Sequence, residues 1–487
     1  MKQKDSANVE SQEPQQSVPS ILSKHRLLPG DRVLWIIVTM LFAISLVAVY
    51  TAASQLGLRE GTLDRELQRH AITICASLVI LFGCYMLGAK FLRKTSFLAF
   101  ASALIMTLLT YIIGEKTNDA ARWLNLGFFK FQPSELLKIG TIMLLAAQLS
   151  ARHHRISAIR LLPTTFDIRK WKTPKELDII KNDILPIVAP IALACSTILP
   201  AHTSSTVHLF FVSMVLLFIA GVRLKEIIKF FVVALIIGTA LLFLIGRGSV
   251  VVNRIKVWVG IEKTATLTPQ AVQKIKAVEK DFNSKIDALN NKYKELLERE
   301  IDAEKIEQLK EEWTEACDKL EKEKQRIISL EKMGNKDAYH SKMAIQNGGV
   351  FGVGAGRSMM RAKLTNPECD YLFALMVEEF GFLLSFVIVL LYLWIFFRSL
   401  RIFEQCEWLY AGLLAVGLAF LITSQGFIHI GVALGVLPET GQNLPFITHG
   451  RTGMFCAAIA MGIILSISRQ VEQGTLLPPS QKSNKHI

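Results

Sequence analysis

Apolar residues in this chain gather into long unbroken runs instead of alternating with polar ones. Val33 to Tyr50 and Thr95 to Gly114 carry no charged side chain. Runs of about 18 or more such residues match the roughly 30 Å hydrocarbon core of a bilayer, whereas a surface helix of a soluble protein keeps a polar face. The pattern predicts ten transmembrane spans, at roughly 33–51, 71–89, 95–114, 134–150, 184–201, 204–222, 228–246, 371–397, 408–434 and 444–468. The fourth and fifth are the weakest, being short and interrupted by Lys138 and Pro190. The expected fold class is an all-α polytopic membrane protein with a helical, coiled-coil-like insertion outside the membrane.

That insertion announces itself by a change of period. From Pro269 to Leu330 the chain turns to Lys, Glu, Leu, Ile and Ala. Apolar residues recur at Phe282, Ile286, Leu289, Tyr293 and Leu296, then at Ile306, Leu309, Trp313, Ala316 and Leu320. These are heptad steps, and their phase breaks between Arg299 and Glu304. A hairpin of two helices over 262–336 fits the break, and one longer helix is the alternative. Such a hairpin is either a solvated insertion or a docking arm for a partner protein; it buries its own seam, so the heptads alone do not demand a second chain.

Composition sharpens this picture. Of 487 residues 51% are hydrophobic and the net charge is +14, which excludes a disordered chain, a small disulfide scaffold and an ordinary soluble enzyme. The charge sorts by loop. Lys90, Arg93 and Lys94, the stretch from Arg152 to Lys175, Arg223, Lys225 and Lys229, and Arg398 with Arg401 fall on one side, together with both tails. By the positive-inside rule that face is cytoplasmic, where anionic headgroups of membrane lipids account for the excess without nucleic acid. The outer insertion is near neutral, with 17 basic against 18 acidic residues between Glu262 and Lys342. The expected organisation is a cytoplasmic tail over 1–32, spans one to seven over 33–246, an outer segment over 247–370, spans eight to ten over 371–468, and a cytoplasmic tail over 469–487. The seven cysteines form no C-x-x-C motif; only Cys317 and Cys369 would face an oxidising side, and framework logic does not call for a bridge between them.

Charged groups at membrane depth cost at least about 2.5–3.5 kcal/mol each on insertion scales, so each needs a reason. One cluster runs from Arg122-Trp123 to Gln132-Pro133-Ser134-Glu135 and Lys138. Pro133 and Ser134 are ordinary helix-start residues, but Lys138 is not explained that way. Glu135 and Lys138, three apart on one helix face, form either a neutralising bridge or the wall of a polar cavity. A second cluster is the glycine-rich Gly348-Gly349-Val350-Phe351-Gly352-Val353-Gly354-Ala355-Gly356-Arg357, which fails the dinucleotide pattern and reads as a re-entrant or interfacial loop. Third, Asp370 stands where the chain re-enters the membrane, a position the helix dipole favours in any case, with Glu378 and Glu379 two turns deeper. Those two glutamates call for a polar cavity or basic partners. Last, Pro438, Gly441, Gln442, Pro445 and Thr448 break the helix before His449 and Arg451, backbone tolerated only where protein or a water-filled cavity surrounds it. All four clusters converge on the outer face.

At these residues the chain resembles the SEDS family (shape, elongation, division and sporulation), whose FtsW and RodA members are ten-span polymerases of peptidoglycan glycan strands. The matching pieces are Arg122-Trp123 with Phe131 to Glu135 and Lys138, Ala344-Ile345 with Gly348 to Gly352, Asp370 to Ala374 with Glu378 to Gly381, and Leu437-Pro438 with Thr440-Gly441 and Leu444 to Phe446. They cover most of the chain outside the first thirty or so residues and the insertion. Departures are Pro200-Ala201-His202 where the family carries Pro-Asp, His429 where it carries Asn, and Thr448-His449-Gly450-Arg451 where it carries Ser-Tyr-Gly-Gly.

The resemblance implies a glycosyltransferase that polymerises lipid II, with Asp370 as the essential carboxylate. It implies substrate contacts at Arg122, Gln132, Ser134, Glu135, Lys138, Gly348, Gly349, Glu379, Gln442 and Thr448. A general base at the interface suits Asp370, and the departing pyrophosphate needs either protein cations or a divalent cation such as Mg or Mn. Lys138, Arg122, Arg254 and Arg357 are the candidate cations. Family practice further implies a class B penicillin-binding protein and other divisome proteins as partners, and an inner-membrane location enriched at the division septum. The glycine stretch leans towards the FtsW branch over RodA. A flippase of lipid-linked precursors, with its site near the midplane, and a division scaffold are the readings from other classes.

Overall fold

The computed structural model describes residues 28–60, 63–117, 120–125, 127, 130–163, 173–259, 269–299, 303–332, 336–364, 367, 369–448 and 450–476. His449 and most of both expected tails lie outside the described residues.

Among the described residues ten helices are long and apolar enough to cross a membrane, in agreement with the count read from the runs. The first three are α1 (Arg32–Glu60), α2 (Leu63–Met86) and α3 (Ala89–Ile113). A small antiparallel sheet then intervenes, β1 (Glu115–Thr117), β2 (Ala120–Asn125) and β3 (Lys130–Phe131). An all-α reading misses this sheet because its strands are too short to set a period.

Next come α4 (Pro133–Ala151), the short α5 (Pro174–Ile179), which runs through a π-helical turn into α6 (Leu185–Ile198), α7 (Thr203–Ala220) and α8 (Leu224–Leu244). The fifth span therefore begins at Leu177, well before the residue 184 expected. The π turn is where Asp183 is buried, paired with Arg155 at 3.2 Å.

The segment between the seventh and eighth spans holds α9 (Gly248–Val259), α10 (Pro269–Arg299), α11 (Ala303–Lys332) and α12 (Lys336–Gly348). Helices α10 and α11 are separate, which removes the single-long-helix alternative. They lie antiparallel: Trp313 Nε1 donates to Asn290 Oδ1 at 3.0 Å, and Lys324 Nζ, further along α11, donates to Asn283 Oδ1, further back along α10, at 2.7 Å. All seven cysteines are free, and Cys317 and Cys369 are not bridged.

The last spans are α13 (Leu372–Glu404), α14 (Leu409–Ala433) and α15 (Arg451–Glu472). Helix α13 runs past the residue 397 expected, because Arg398 pairs with Asp31 at 2.6 Å instead of ending the helix in solvent. Asp31 also receives the Ser468 region: its N–H donates to Ser468 Oγ at 2.8 Å. The start of α1, the end of α13 and the end of α15 thus share one end of the bundle, as an even span count requires.

Helices α4 and α14 are the most enclosed spans and pack on one another, with α3, α7 and α13 around them. Gly140 lets α4 approach α3 closely: a Cβ there would lie 3.0 Å from the backbone of Phe100. By contrast α8 is largely exposed along its length, a surface suited to lipid.

Candidate active site at one rim of the bundle

The end of the bundle opposite the Asp31–Arg398 pair carries an open cavity of about 220 Å³. Its walls come from six places far apart in sequence. Arg122 comes from β2, Ala201 to Ser204 from the α6–α7 turn and the first residues of α7, Arg247 from just before α9 and Arg254 from within it. Asp337 comes from α12, Asp370 and Tyr371 from the lead-in to α13, and Glu439 to Gly441 from the loop between α14 and α15.

Local sequence explains each placement. Pro133 starts α4, so the chain before it is free to form the sheet that presents Arg122. Gly246, at φ 77°, reverses the chain after α8 and turns Arg247 inward. Gly441, at φ 62°, brings the α14–α15 loop against the carboxylate, where an added Cβ would lie 3.9 Å from Asp370 Oδ1.

Hydrogen bonds fix these walls. Buried Tyr371 donates its hydroxyl to Glu439 Oε1 at 2.7 Å, and burial followed by the neighbouring Glu439 carboxylate pushes its pKa upward, so it stays a donor. Arg254 Nη1 donates to the Glu439 carbonyl at 3.2 Å, and Ser204 Oγ to the Thr440 carbonyl at 2.7 Å. Together they hold residues 434–448 across one side of the cavity. On the other side His202 lies 3.0 Å from Gln132 Nε2. Burial, reinforced by Arg122, Lys138, Arg247 and Arg254, pushes its pKa down to about 3, so the imidazole is neutral at physiological pH. Arg122 donates through Nε to the Ala201 carbonyl at 3.0 Å; burial and then Arg247 and Arg254 lower its pKa.

Of the residues expected from sequence, Asp370 and Arg122 line this cavity together. Gln132 and Ser134 stand one layer behind it: Gln132 Nε2 donates to Ser134 Oγ at 3.2 Å besides meeting His202. Gln442, in the loop itself, is buried and donates to Ser205 Oγ at 2.8 Å. Arg254, a candidate cation, is in the cavity wall, whereas Arg357 is not.

Glu135 and Lys138 are elsewhere. They form a buried ion pair at 2.8 Å inside α4, Lys138 fully enclosed and 3.5 Å from Gln425 Oε1. The space beside them is about 20 Å³, room for about one water.

Gly348, Gly349 and Glu379 belong to a packing device. Gly348 lies so close to α13 that a Cβ would fall 2.0 Å from the Val377 carbonyl, and α13 is broken at Gly381, where Val353 and Gly354 donate N–H groups to the Glu378 and Glu379 carbonyls at 2.9 and 3.0 Å. Among the described residues Glu378 forms no ion pair with a basic side chain. Its buried carboxylate accepts from Asn347 Nδ2 at 3.0 Å, from the Met359 N–H at 3.3 Å and from the Ser358 hydroxyl. Thr448 satisfies its hydroxyl on the Leu444 carbonyl of its own turn, at 3.0 Å.

Sequence reasoning missed His202, Arg247, Asp337 and Glu439 as members of one cavity. Arg247 did carry a signal: it is the first charge after the α8 run and is flanked by Gly246 and Gly248.

Ten spans around an ionisable cavity at one rim define a polytopic membrane protein with a polar site at the end of its helices. The chain belongs to the FtsW/RodA/SpoVE family of cell cycle proteins, whose family model matches residues 31–280 and 321–473. The unmatched residues between them include most of α10 beyond its start and the first part of α11. Among its relatives, the probable peptidoglycan glycosyltransferase FtsW of Haemophilus influenzae is 24% identical over 445 residues, covering 90% of each chain. Stage V sporulation protein E of Bacillus subtilis is 25% identical over 447 residues, covering 90% of this chain and 97% of its own.

Two solved structures share the fold. A chain of a peptidoglycan synthase complex that coordinates polymerization and crosslinking superposes with a TM-score of 0.56 at 18% identity, covering 91% of this chain and 98% of its own. Rod shape determining protein RodA of Thermus thermophilus gives 0.51 at 17% identity, with the same coverage. The SEDS resemblance drawn from the motifs and the ten-span fold are both borne out.

Proposed function

We propose that this protein is a peptidoglycan glycosyltransferase that polymerises lipid II into glycan strands during septal wall synthesis. The observation that carries the reading is Asp370 at the lip of the rim cavity, sharing it with Arg122, Arg247 and Arg254. In the reaction the 4-hydroxyl oxygen of the acceptor sugar bonds to the anomeric carbon of the donor. The bond from that carbon to the lipid diphosphate breaks, and the hydroxyl proton passes to the Asp370 carboxylate. A positioned carboxylate of this kind contributes about 10²–10⁴-fold as a general base. The guanidinium groups neutralise charge building on the departing diphosphate.

The basic loops support an orientation with both termini cytoplasmic and the cavity on the outer face of the inner membrane, at the septum. The named relatives FtsW and stage V sporulation protein E favour the division role over elongation. A class B penicillin-binding protein is the proposed partner, on the strength of the synthase complex that shares the fold, with other divisome proteins around it. The hairpin over 262–336 is a candidate contact for either. Mg or Mn is a further source of positive charge to be tested by chelation; among the described residues no group of three His, Cys, Asp or Glu is arranged to hold a metal ion, and no step here is routed through one.

The test is polymerisation by purified protein given lipid II, with and without the penicillin-binding protein and with and without EDTA. Glycan polymer is the expected product. Movement of lipid II across the bilayer with no polymer formed would replace this reading with a flippase.

A further inference from the structure

The glycine-rich loop between α12 and α13 takes no part in the rim cavity, and its backbone bonds show what it is built for. Helix α13 is broken at Gly381, which has φ 80°. An unbroken helix would bond the Phe382 N–H to the Glu378 carbonyl and the Leu383 N–H to the Glu379 carbonyl. The loop satisfies these groups instead. Val353 and Gly354 donate to the Glu378 and Glu379 carbonyls at 2.9 and 3.0 Å, while Phe382 and Leu383 donate to the Gly349 and Val350 carbonyls at 2.9 and 3.4 Å. Gly352 and Gly381 lie so close that a Cβ on either would strike the backbone of the other segment. The loop is thus fastened to α13 at one height.

That height falls within the span of a bilayer. At the end of the bundle opposite the rim, the Arg398–Asp31 pair marks one boundary, with exposed Trp394 a turn inside it. From Arg398 to Gly381 is about 25 Å of helix at 1.5 Å per residue, inside a hydrocarbon core of about 30 Å. The start of α13 at Leu372 is about 39 Å away by the same rise, outside that core. Non-helical backbone at such a depth must find its partners within the protein, and the bonds to α13 supply them.

The side chains match. Phe351 is 83% exposed, and Val350 and Met359 are exposed with it, beside the exposed Phe382 and Leu383 to which the loop is bonded. Arg357 and Lys363 follow, also exposed, and long cationic side chains near a membrane surface reach towards headgroup phosphates.

We propose that residues 349–359 form a re-entrant loop seated in the leaflet nearest the rim cavity, with Val350, Phe351 and Met359 among phospholipid acyl chains. The occupant of this surface is lipid, because it continues the exposed apolar side of α13 and its backbone needs no second chain. This seat does not depend on the glycosyl-transfer reading.

Photocrosslinking tests it. The full-length protein carries p-benzoylphenylalanine in place of Phe351, of Val350, of Leu383 on α13, or of Glu312 on exposed α11. Each variant whose unfolding midpoint matches the wild type is irradiated in phosphatidylethanolamine–phosphatidylglycerol nanodiscs and in native membranes, and its adducts are identified by mass. Positions 351 and 350 are expected to capture phospholipid as fully as 383 in both settings, and position 312 to lose that adduct. Failure of both loop positions to capture lipid where 383 does so overturns the seat. Capture of another protein in place of lipid at 351 or 350 in native membranes overturns it too, and gives the surface to a partner's helix.

Discussion

Two groups of ionisable side chains break the apolar pattern of this protein, and the fold treats them in opposite ways. Glu135 and Lys138 are sealed inside α4, paired at 2.8 Å beside a space of about 20 Å³. Asp370 and the arginines stand around a cavity of about 220 Å³ and come from segments more than a hundred residues apart. The first group is compensated within one helix turn. In the second, Arg122 and Arg247 stand outside any ion pair among the described residues and donate to the Ala201 carbonyl in the wall of an open cavity. Buried charge that is matched speaks for structure, whereas gathered charge that is open to a cavity speaks for chemistry.

Mutations sharpen this contrast by the quantity they move. Asp370→Asn is expected to reduce polymerisation by about 10²–10⁴-fold while the thermal unfolding midpoint stays put, since the residue lies at the rim. Lys138→Ala does the reverse: it strands the Glu135 carboxylate and costs about 3–5 kcal/mol of stability, read by thermal unfolding in detergent. The double change Glu135→Leu with Lys138→Leu is expected to restore most of that midpoint; polymerisation by the double variant then tells whether the pair also serves the site. A double variant as unstable as the single one breaks the contrast.

Smaller effects belong to the loop. Tyr371→Phe removes the hydrogen bond to Glu439 and is expected to lower kcat/KM about tenfold, with faster amide exchange across 434–450. Glu439→Gln keeps a partner for Tyr371 and should lose less. The smallest effect is one of pH. His202 protonates near 6.5 when unfolded but only near 3 in the fold, so stability is present above pH 6.5 and falls as pH is lowered through that window. His202→Asn should flatten that slope in a pH series of unfolding midpoints, and no limb of the rate profile near 6.5 should trace to this residue.

Much of the fold was legible in the runs themselves, because a bilayer imposes a fixed length on any helix that crosses it. The hairpin break between Arg299 and Glu304 was legible for a similar reason, a lost heptad phase. What escaped was anything set by two segments at once. The small sheet presenting Arg122 has strands of two to six residues, too few for a pattern. Glu378 resembled a cavity residue because its partners, Asn347, Ser358 and the Met359 N–H, are brought to it by a glycine-tight fold that spacing does not reveal. Asp370 stood out as a carboxylate at a membrane boundary, yet Arg247, Asp337 and Glu439 became its neighbours only in three dimensions.

The most direct test sets Asp370→Asn beside the wild type in one lipid II polymerisation assay, with both proteins shown to share the same unfolding midpoint. The rim-site account predicts long glycan strands from the wild type and none from the variant. Wild-type polymerisation by a folded Asp370→Asn protein would contradict it.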